Sequence, residues 1–227
     1  EKITTSNKQS YVVKYYVKKN DKFNSILSET KSLNYMLDKF HDLFPKIRYS
    51  SDKLLIVDYV NHNNIRKKDY QKILADNIIK IHNISNKSYG FEFDTQIGGL
   101  KQPNNANSNW AEFFREERLN MIFEEINLTN PMPKEINSKI HNLLNDLENR
   151  IPKNPIVSLL HGDLWSGNIL FDNGQLVGLI DPGIYFGHNE LEISYLRWFK
   201  YIDEVFFNHY SNIINIDKEY LNYEPIY

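Results

Sequence analysis

The sequence predicts an α+β fold in two lobes, a small antiparallel-sheet lobe followed by a mainly helical one. Three observations carry this. Short alternating β-branched segments are confined, early in the chain, to the first sixty residues. From residue 67 apolar side chains recur at three- and four-residue intervals over helix-length stretches. After residue 155 short strands return around a cluster of Asp and Asn residues. That order of strands, then helices, then strands is the pattern of an α+β protein.

In chain order, residues 2–5 and 10–17 alternate well enough for two strands joined by the polar turn Ser6-Asn7-Lys8-Gln9. Residues 25–40 place Ile26, Leu33, Met36, Leu37 and Phe40 at helical spacing, and Pro45 prevents continuation. Residues 47–49 and 54–60 flank Ser50-Ser51-Asp52-Lys53 as a second hairpin. Residues 1–60 therefore form the first lobe and 61–227 the second. In the second lobe, helices are expected over 67–84, 109–125 and 134–149. Between the first two lies a long loop, 89–108, with Gly90, Gly98, Gly99 and Pro103, which reads as part of a substrate wall. Strands at 156–160, 169–171 and 176–180 precede two last helices at 191–201 and 204–214.

Composition narrows the function. Lys and Arg number 27 against 29 Asp and Glu, a net charge of -2 that gives no basic surface for nucleic acid or anionic lipid. Cysteine is absent, which excludes disulfides, thiolate metal sites and a thiol nucleophile. No apolar run approaches bilayer length and no signal-peptide pattern opens the chain, so a cytoplasmic protein is expected. Oligomeric state is not encoded in these features.

The chemistry concentrates at His161-Gly162-Asp163-Leu164-Trp165-Ser166-Gly167-Asn168 and, after a strand, a turn and a second strand, at Asp181-Pro182-Gly183. A phosphoryl-transfer site needs a carboxylate to take the proton of the attacking hydroxyl and oxygen ligands for Mg²⁺ on the nucleotide phosphates. Asp163 fits the first role, Asn168 and Asp181 the second. An isolated His-Gly-Asp is more often turn chemistry. The Asn five residues on, the intervening hairpin and the second Asp make a combination that turn chemistry does not require. His161 reads as a hydrogen-bonded structural residue. In the first lobe, Lys14 interrupts an apolar strand and Glu29 lies in the next helix, the cation and acid that would position ATP phosphates. Asp58, Tyr59 and Val60 are expected to form a hinge whose backbone holds adenine.

On these residues the chain resembles the fructosamine/ketosamine kinases, within the wider aminoglycoside phosphotransferase-like and protein-kinase-like fold. Leu160 to Asn168 looks like the family signature, and its Trp-Ser-Gly portion narrows the match. Further matches are Gly90-Phe91, Ile97-Gly98 with Gln102-Pro103-Asn104, Trp110 with Glu112-Phe113-Phe114-Arg115, Arg118-Leu119, and Tyr185-Phe186-Gly187-His188 with Glu190.

The resemblance implies ATP- and Mg²⁺-dependent phosphorylation of the sugar 3-hydroxyl of small-molecule or protein-linked ketosamines, a deglycation repair. It implies substrate contacts at Trp165, His188 and Glu190. The alternatives are a kinase for another hydroxyl substrate, such as an aminoglycoside, choline or sugar, and a degenerate kinase-fold binding protein. The family has a further strand and a phosphate-covering loop before Lys2, and further helices after 220–227. Against it, the first lobe is expected to be incomplete at its start and the second truncated at its end. Asn189 stands where the family pattern has Arg, and Glu192 where it has Asp.

Overall fold

The computed structural model describes residues 1–16 and 23–227. Val17, the last residue of the expected second strand, lies outside them. Strands β1 (Lys2–Thr4) and β2 (Ser10–Tyr15) form the first hairpin, and helix α1 (Ser25–Lys39) follows. Asn24 caps α1 by accepting the Leu27 N–H at 3.1 Å. Strands β3 (Ile47–Ser50) and β4 (Leu54–Asp58) complete an antiparallel sheet in the order β1-β2-β4-β3. Alternation decides which side faces in. Val13, Leu55 and Val57 are buried, and so are Ile26, Leu33 and Met36 of α1.

Helix α2 (Tyr70–His82) opens the second lobe, and its Leu74, Ala75, Ile78 and Ile81 are fully buried. The region expected to be a long loop instead contains a short hairpin, β5 (Thr95–Ile97) and β6 (Leu100–Gln102). Gly98 and Gly99 turn it with φ of 56° and 84°, a backbone region that favours glycine. The helix expected over 109–125 is present but interrupted. It runs as α3 (Trp110–Phe114), a π-helical turn (Arg115–Asn120) and α4 (Met121–Thr129). Helix α5 (Lys134–Asn145) follows.

The last third carries β7 (Ser158–Leu160), then the hairpin β8 (Ile169–Asp172) and β9 (Gln175–Leu179). A strand that the pattern did not predict, β10 (Tyr185–Gly187), pairs antiparallel with β7. Helices α6 (Asn189–Trp198), α7 (Glu204–Ser211) and α8 (Tyr220–Tyr223) end the chain. One hydrophobic cluster runs from Ile26, Leu33, Leu55 and Val57 of the first lobe into Leu74, Ile78, Leu159, Phe171 and Leu179 of the second. Both lobes are thus packed on a shared core, and the cleft between them is held by apolar contact. Among the described residues no helix is long and apolar enough to cross a membrane.

Candidate active site

Residues 161–168 leave β7 as a tight loop whose backbone is pinned from two sides. The Glu192 carboxylate of α6 accepts the His161 N–H at 3.1 Å and the Gly162 N–H at 2.8 Å. The His161 carbonyl accepts the Gly183 N–H at 2.9 Å. Gly162 has φ of 85°, and a Cβ there would stand 2.0 Å from the Gly183 carbonyl oxygen, so the close approach of these two loops demands glycine. Glu192 is itself held by His82 at the end of α2, whose Nε2 lies 3.0 Å from the carboxylate while its Nδ1 meets the Tyr210 hydroxyl at 2.7 Å.

On this loop the Asp163 carboxylate and its own carbonyl both accept from the Asn168 amide, at 3.0 and 2.8 Å. The amide nitrogen is spent inward, which leaves the Asn168 amide oxygen for a ligand. Burial pushes the Asp163 carboxyl up. The Asn168 hydrogen bond pulls it back in part, and the negative charges of Asp181 and Glu192 add to the rise. The Asp163 N–H donates to His161 Nδ1 at 3.3 Å, so that nitrogen is the unprotonated one.

Asp181 follows β9, and the Ile180 N–H bonds the Asn168 carbonyl at 3.1 Å, which brings the end of the hairpin back beside its start. Asp181 adopts φ of 57°, a strained conformation for a non-glycine residue and one that clusters at functional sites. Its carboxylate meets Lys14 Nζ at 2.5 Å, and the same ammonium meets Glu29 at 2.6 Å. Burial opposes the charge on Lys14, but the two carboxylates outweigh it and hold the ammonium pKa above its ordinary value. Glu29 is pushed up by burial against the pull of Lys14.

Lys14, Glu29 and Asp181 line a cavity of about 140 Å³ together with Asp58, Tyr59 and Val60. The structure therefore brings every first-lobe residue expected to hold a nucleotide to one cleft. Within that segment the Asp58 carboxylate is occupied by both prongs of Arg48, at 2.7 and 2.8 Å. The Tyr59 N–H is taken by the Ser10 carbonyl at 3.1 Å. The Val60 N–H has no backbone acceptor among the described residues.

A second cavity of about 180 Å³ lies on the other side of the loop. Gly162 and Leu164, which flank Asp163, line it with Arg118, Tyr185, Glu192 and Tyr195. Trp165 does not line either cavity. Its ring covers Gly167, where a Cβ would come within 2.4 Å of it, packs 6.1 Å from Phe199, and remains 39% exposed at the rim. The expected substrate roles of His188 and Glu190 meet a different arrangement. Both are buried, the His188 Nδ1 pairs with the Tyr227 hydroxyl at 2.9 Å, and Glu190 accepts the Asp217 N–H at 2.6 Å and the Tyr223 hydroxyl. Neither lines either of these two cavities, and their polar atoms fasten the segment 217–227 to the core. The difference has a simple cause, since His188 just before α6 and Glu190 in its first turn face that segment and not the loop.

Sequence reasoning missed Glu192 and His82 as the supports of the 161–168 loop, although His82 lies in the last turn of the helix expected over 67–84, among apolar residues where a buried polar group needs a partner. Tyr195 and Arg118 were likewise unassigned as cavity walls.

The family model described as fructosamine kinase matches residues 2–227. The chain belongs to the fructosamine kinase family. A Vibrio cholerae relative assigned as a ketoamine kinase is 36% identical over 147 residues, 62% of this chain and 48% of its own length. The chloroplastic protein-ribulosamine 3-kinase of Arabidopsis thaliana is 32% identical over 168 residues, 70% of this chain and 49% of its own. The chain thus spans about half the length of these curated relatives. A crystal structure from Haemophilus somnus, assigned as a fructosamine-3-kinase, superposes with a TM-score of 0.84 at 23% identity. That match covers 100% of this chain and 79% of the other, and it establishes the protein-kinase-like fold.

Proposed function

We propose that this fructosamine kinase family chain transfers the γ-phosphoryl group of ATP to the sugar 3-hydroxyl of ketosamines. The observation that carries the reading is the convergence, across one cleft, of Lys14, Glu29 and Asp181 with the Asp163–Asn168 pair. The relatives described as ketoamine and ribulosamine 3-kinases support the same substrate class.

In this reading Asp163 accepts the proton of the sugar hydroxyl as its oxygen bonds the γ-phosphorus and the bond to the ADP oxygen breaks. Its raised pKa suits a proton acceptor near neutral pH better than an ordinary carboxylate would. Lys14 positions the phosphates and Glu29 fixes Lys14. The backbone of 58–60 is the adenine contact, with the Val60 N–H as its free donor and the Asp58 carboxylate excluded by Arg48.

The donor set at the phosphate end also suits Mg²⁺. Asn168 and Asp181 offer oxygen, and among the described residues no cluster of three or more His, Cys, Asp or Glu forms a closed metal cage. A cation held by one or two protein oxygens and completed by substrate phosphates needs no such cage. When bound, the ion neutralises phosphate charge. ATP dependence fits a compartment supplied with ATP, and the cytoplasm is the location this reading takes.

The test is an ATP-consumption assay with ribulosamine, fructosamine, an aminoglycoside and choline as acceptors. Turnover confined to the ketosamines, with phosphate on the sugar, is expected. Turnover with the aminoglycoside or choline and none with either ketosamine would overturn the reading.

A further inference from the structure

The cavity beside the 161–168 loop holds about 180 Å³, below the several hundred Å³ of a pocket that takes a whole drug-sized ligand, so it receives only part of an acceptor. Tyr195 ties it to the reacting position. This phenol lines the cavity, and its pKa is pushed up by burial and then by the Asp163 charge. Ile97, Leu119 and Leu191 make much of the wall apolar, which suits hydrocarbon better than the hydroxyl-covered end of a sugar.

The exception on that wall is Arg118. It sits in the π-helical turn Arg115–Asn120, a local geometry that recurs at functional sites, and is only 5% exposed. Three of its five N–H groups go to the Pro103 carbonyl, the Glu117 carbonyl and the Asn104 amide oxygen, at 2.6, 2.8 and 2.6 Å. Its Nε has no partner. The guanidinium lies 3.9 Å over the Tyr185 ring. All of these contacts are neutral. Glu117 and Asp94 act on it only as more distant charges, while burial works against its own. A buried cation is costly until an anion pairs with it, and Arg118 is held at the cavity wall without one. Gln102 stands on the same wall. Its amide oxygen accepts the Thr95 hydroxyl at 2.9 Å, and its amide nitrogen donates to no described residue.

We infer that Arg118, with Gln102 beside it, holds a carboxylate of the acceptor, so that the chain prefers a ketosamine formed on the α-nitrogen of a free amino acid with an apolar side chain. The inference rests on the ketosamine reading and goes beyond it, since a sugar on a lysine side chain within a polypeptide offers no carboxylate so near its nitrogen. In the α-linked adduct the carboxylate is one carbon from that nitrogen. With the sugar hydroxyl at Asp163, the amino-acid side chain lies along the apolar wall and the carboxylate meets the guanidinium. The edge of Arg118 left without a partner is the Nε side, the edge by which Arg48 holds both oxygens of Asp58 through Nε and Nη2, at 2.7 and 2.8 Å. That fork matches a carboxylate.

The experiment compares three acceptors with Mg-ATP: ribulose carried on the nitrogen of alanine, of alaninamide and of ethylamine. With the parent chain, KM for the alanine adduct should lie about 10- to 100-fold below KM for the alaninamide adduct, the scale of one charge-assisted hydrogen bond, and the ethylamine adduct should resemble the amide. Arg118→Lys keeps a positive charge without the fork. It should raise KM for the alanine adduct about tenfold or more and leave KM for the other two within about threefold. A loss of equal size on all three would mark Arg118 as scaffolding and overturn the assignment. Should the variant fail to fold, the parent's comparison of acid and amide decides alone, because equal KM values there overturn the carboxylate site and leave the ketosamine reading intact. If the parent phosphorylates none of the three, that reading fails and the assignment falls with it.

Discussion

Replacing Glu192 with glutamine changes one atom in a buried carboxylate and should cost much of the stability of the second lobe. The carboxylate accepts from His161 N–H, Gly162 N–H and His82 Nε2, at 3.1, 2.8 and 3.0 Å. Glutamine has one acceptor oxygen and an NH₂ group, so at least one of these donors must face another donor. Losing a charge-assisted hydrogen bond costs about 1.5–3 kcal/mol, and a buried donor left without a partner costs about 1–3 kcal/mol. Together they give about 2.5–6 kcal/mol, which brackets the about 3–5 kcal/mol of breaking a buried ion pair by removing one charge. For a chain of this size that is roughly a 10–15 °C fall in melting temperature.

The effect has a pH signature. Burial pushes the Glu192 carboxyl up, but the His82 hydrogen bond, the neighbouring His82 and His161 rings and the Gly162 N–H outweigh it and hold it below the ordinary carboxylate value. A depressed folded pKa contributes stability that is present above the unfolded pKa and is lost as pH falls through the folded one. The gap between parent and Glu192→Gln should therefore be full near pH 7 and should narrow steadily as the solution is acidified below about pH 4. Thermal unfolding followed by circular dichroism from pH 7 to pH 3 measures both quantities. A fall of less than about 2 °C at pH 7, or a gap that stays constant through the acid range, would refute the clamp.

Three further outcomes follow from the same geometry. Asp163→Asn should leave the melting temperature unchanged and lower kcat by about 100- to 10,000-fold, and in the parent the acidic limb of kcat/KM should lie above the ordinary carboxylate range, activity being lost as pH falls through it. Near-parental turnover would remove Asp163 from the reaction. Asp181→Asn should weaken Mg²⁺-dependent ATP binding by about tenfold or more in titration calorimetry, and equal affinities would count against its role at the phosphates. Gly162→Ala places a methyl group 2.0 Å from the Gly183 carbonyl oxygen at a left-handed φ, so the loop must shift. Turnover should drop about 100-fold, whereas unaltered kinetics would show that the contact between the two loops is not needed for catalysis.

The parts of the site legible in the sequence are those whose chemistry is local. Asp163 and Asn168 sit five residues apart on one loop, and the hairpin that returns the chain to Asp181 has its turn and its apolar strands written in consecutive residues. Lys14 and Glu29 were legible for a related reason. Each is a charge inside an apolar pattern, on a strand and on the helix that follows it, and Lys14 joins Glu29 to Asp181 because their elements pack on the same core. The short strands β5, β6 and β10, three residues each, were not predicted. The π-helical turn was missed because 109–125 keeps its apolar spacing through it.

What a one-dimensional pattern does not hold is the set of partners that meet only after folding. His82 and Glu192 are 110 residues apart and join their elements beneath the 161–168 loop. His188 and Glu190 show the same gap from the other side. They lie next to a family-like motif, yet their polar atoms are committed to Tyr227, Tyr223 and Asp217. Buried polar groups must find partners, and which ones they find is settled by packing. A motif therefore locates candidate reacting groups when those groups need to face a cleft. It locates their supports poorly, because Glu192 lies on the same helix as Glu190, which His188 precedes, and is buried like both, and only its two hydrogen bonds to the loop backbone separate a support of the candidate site from a fastening of the segment 217–227.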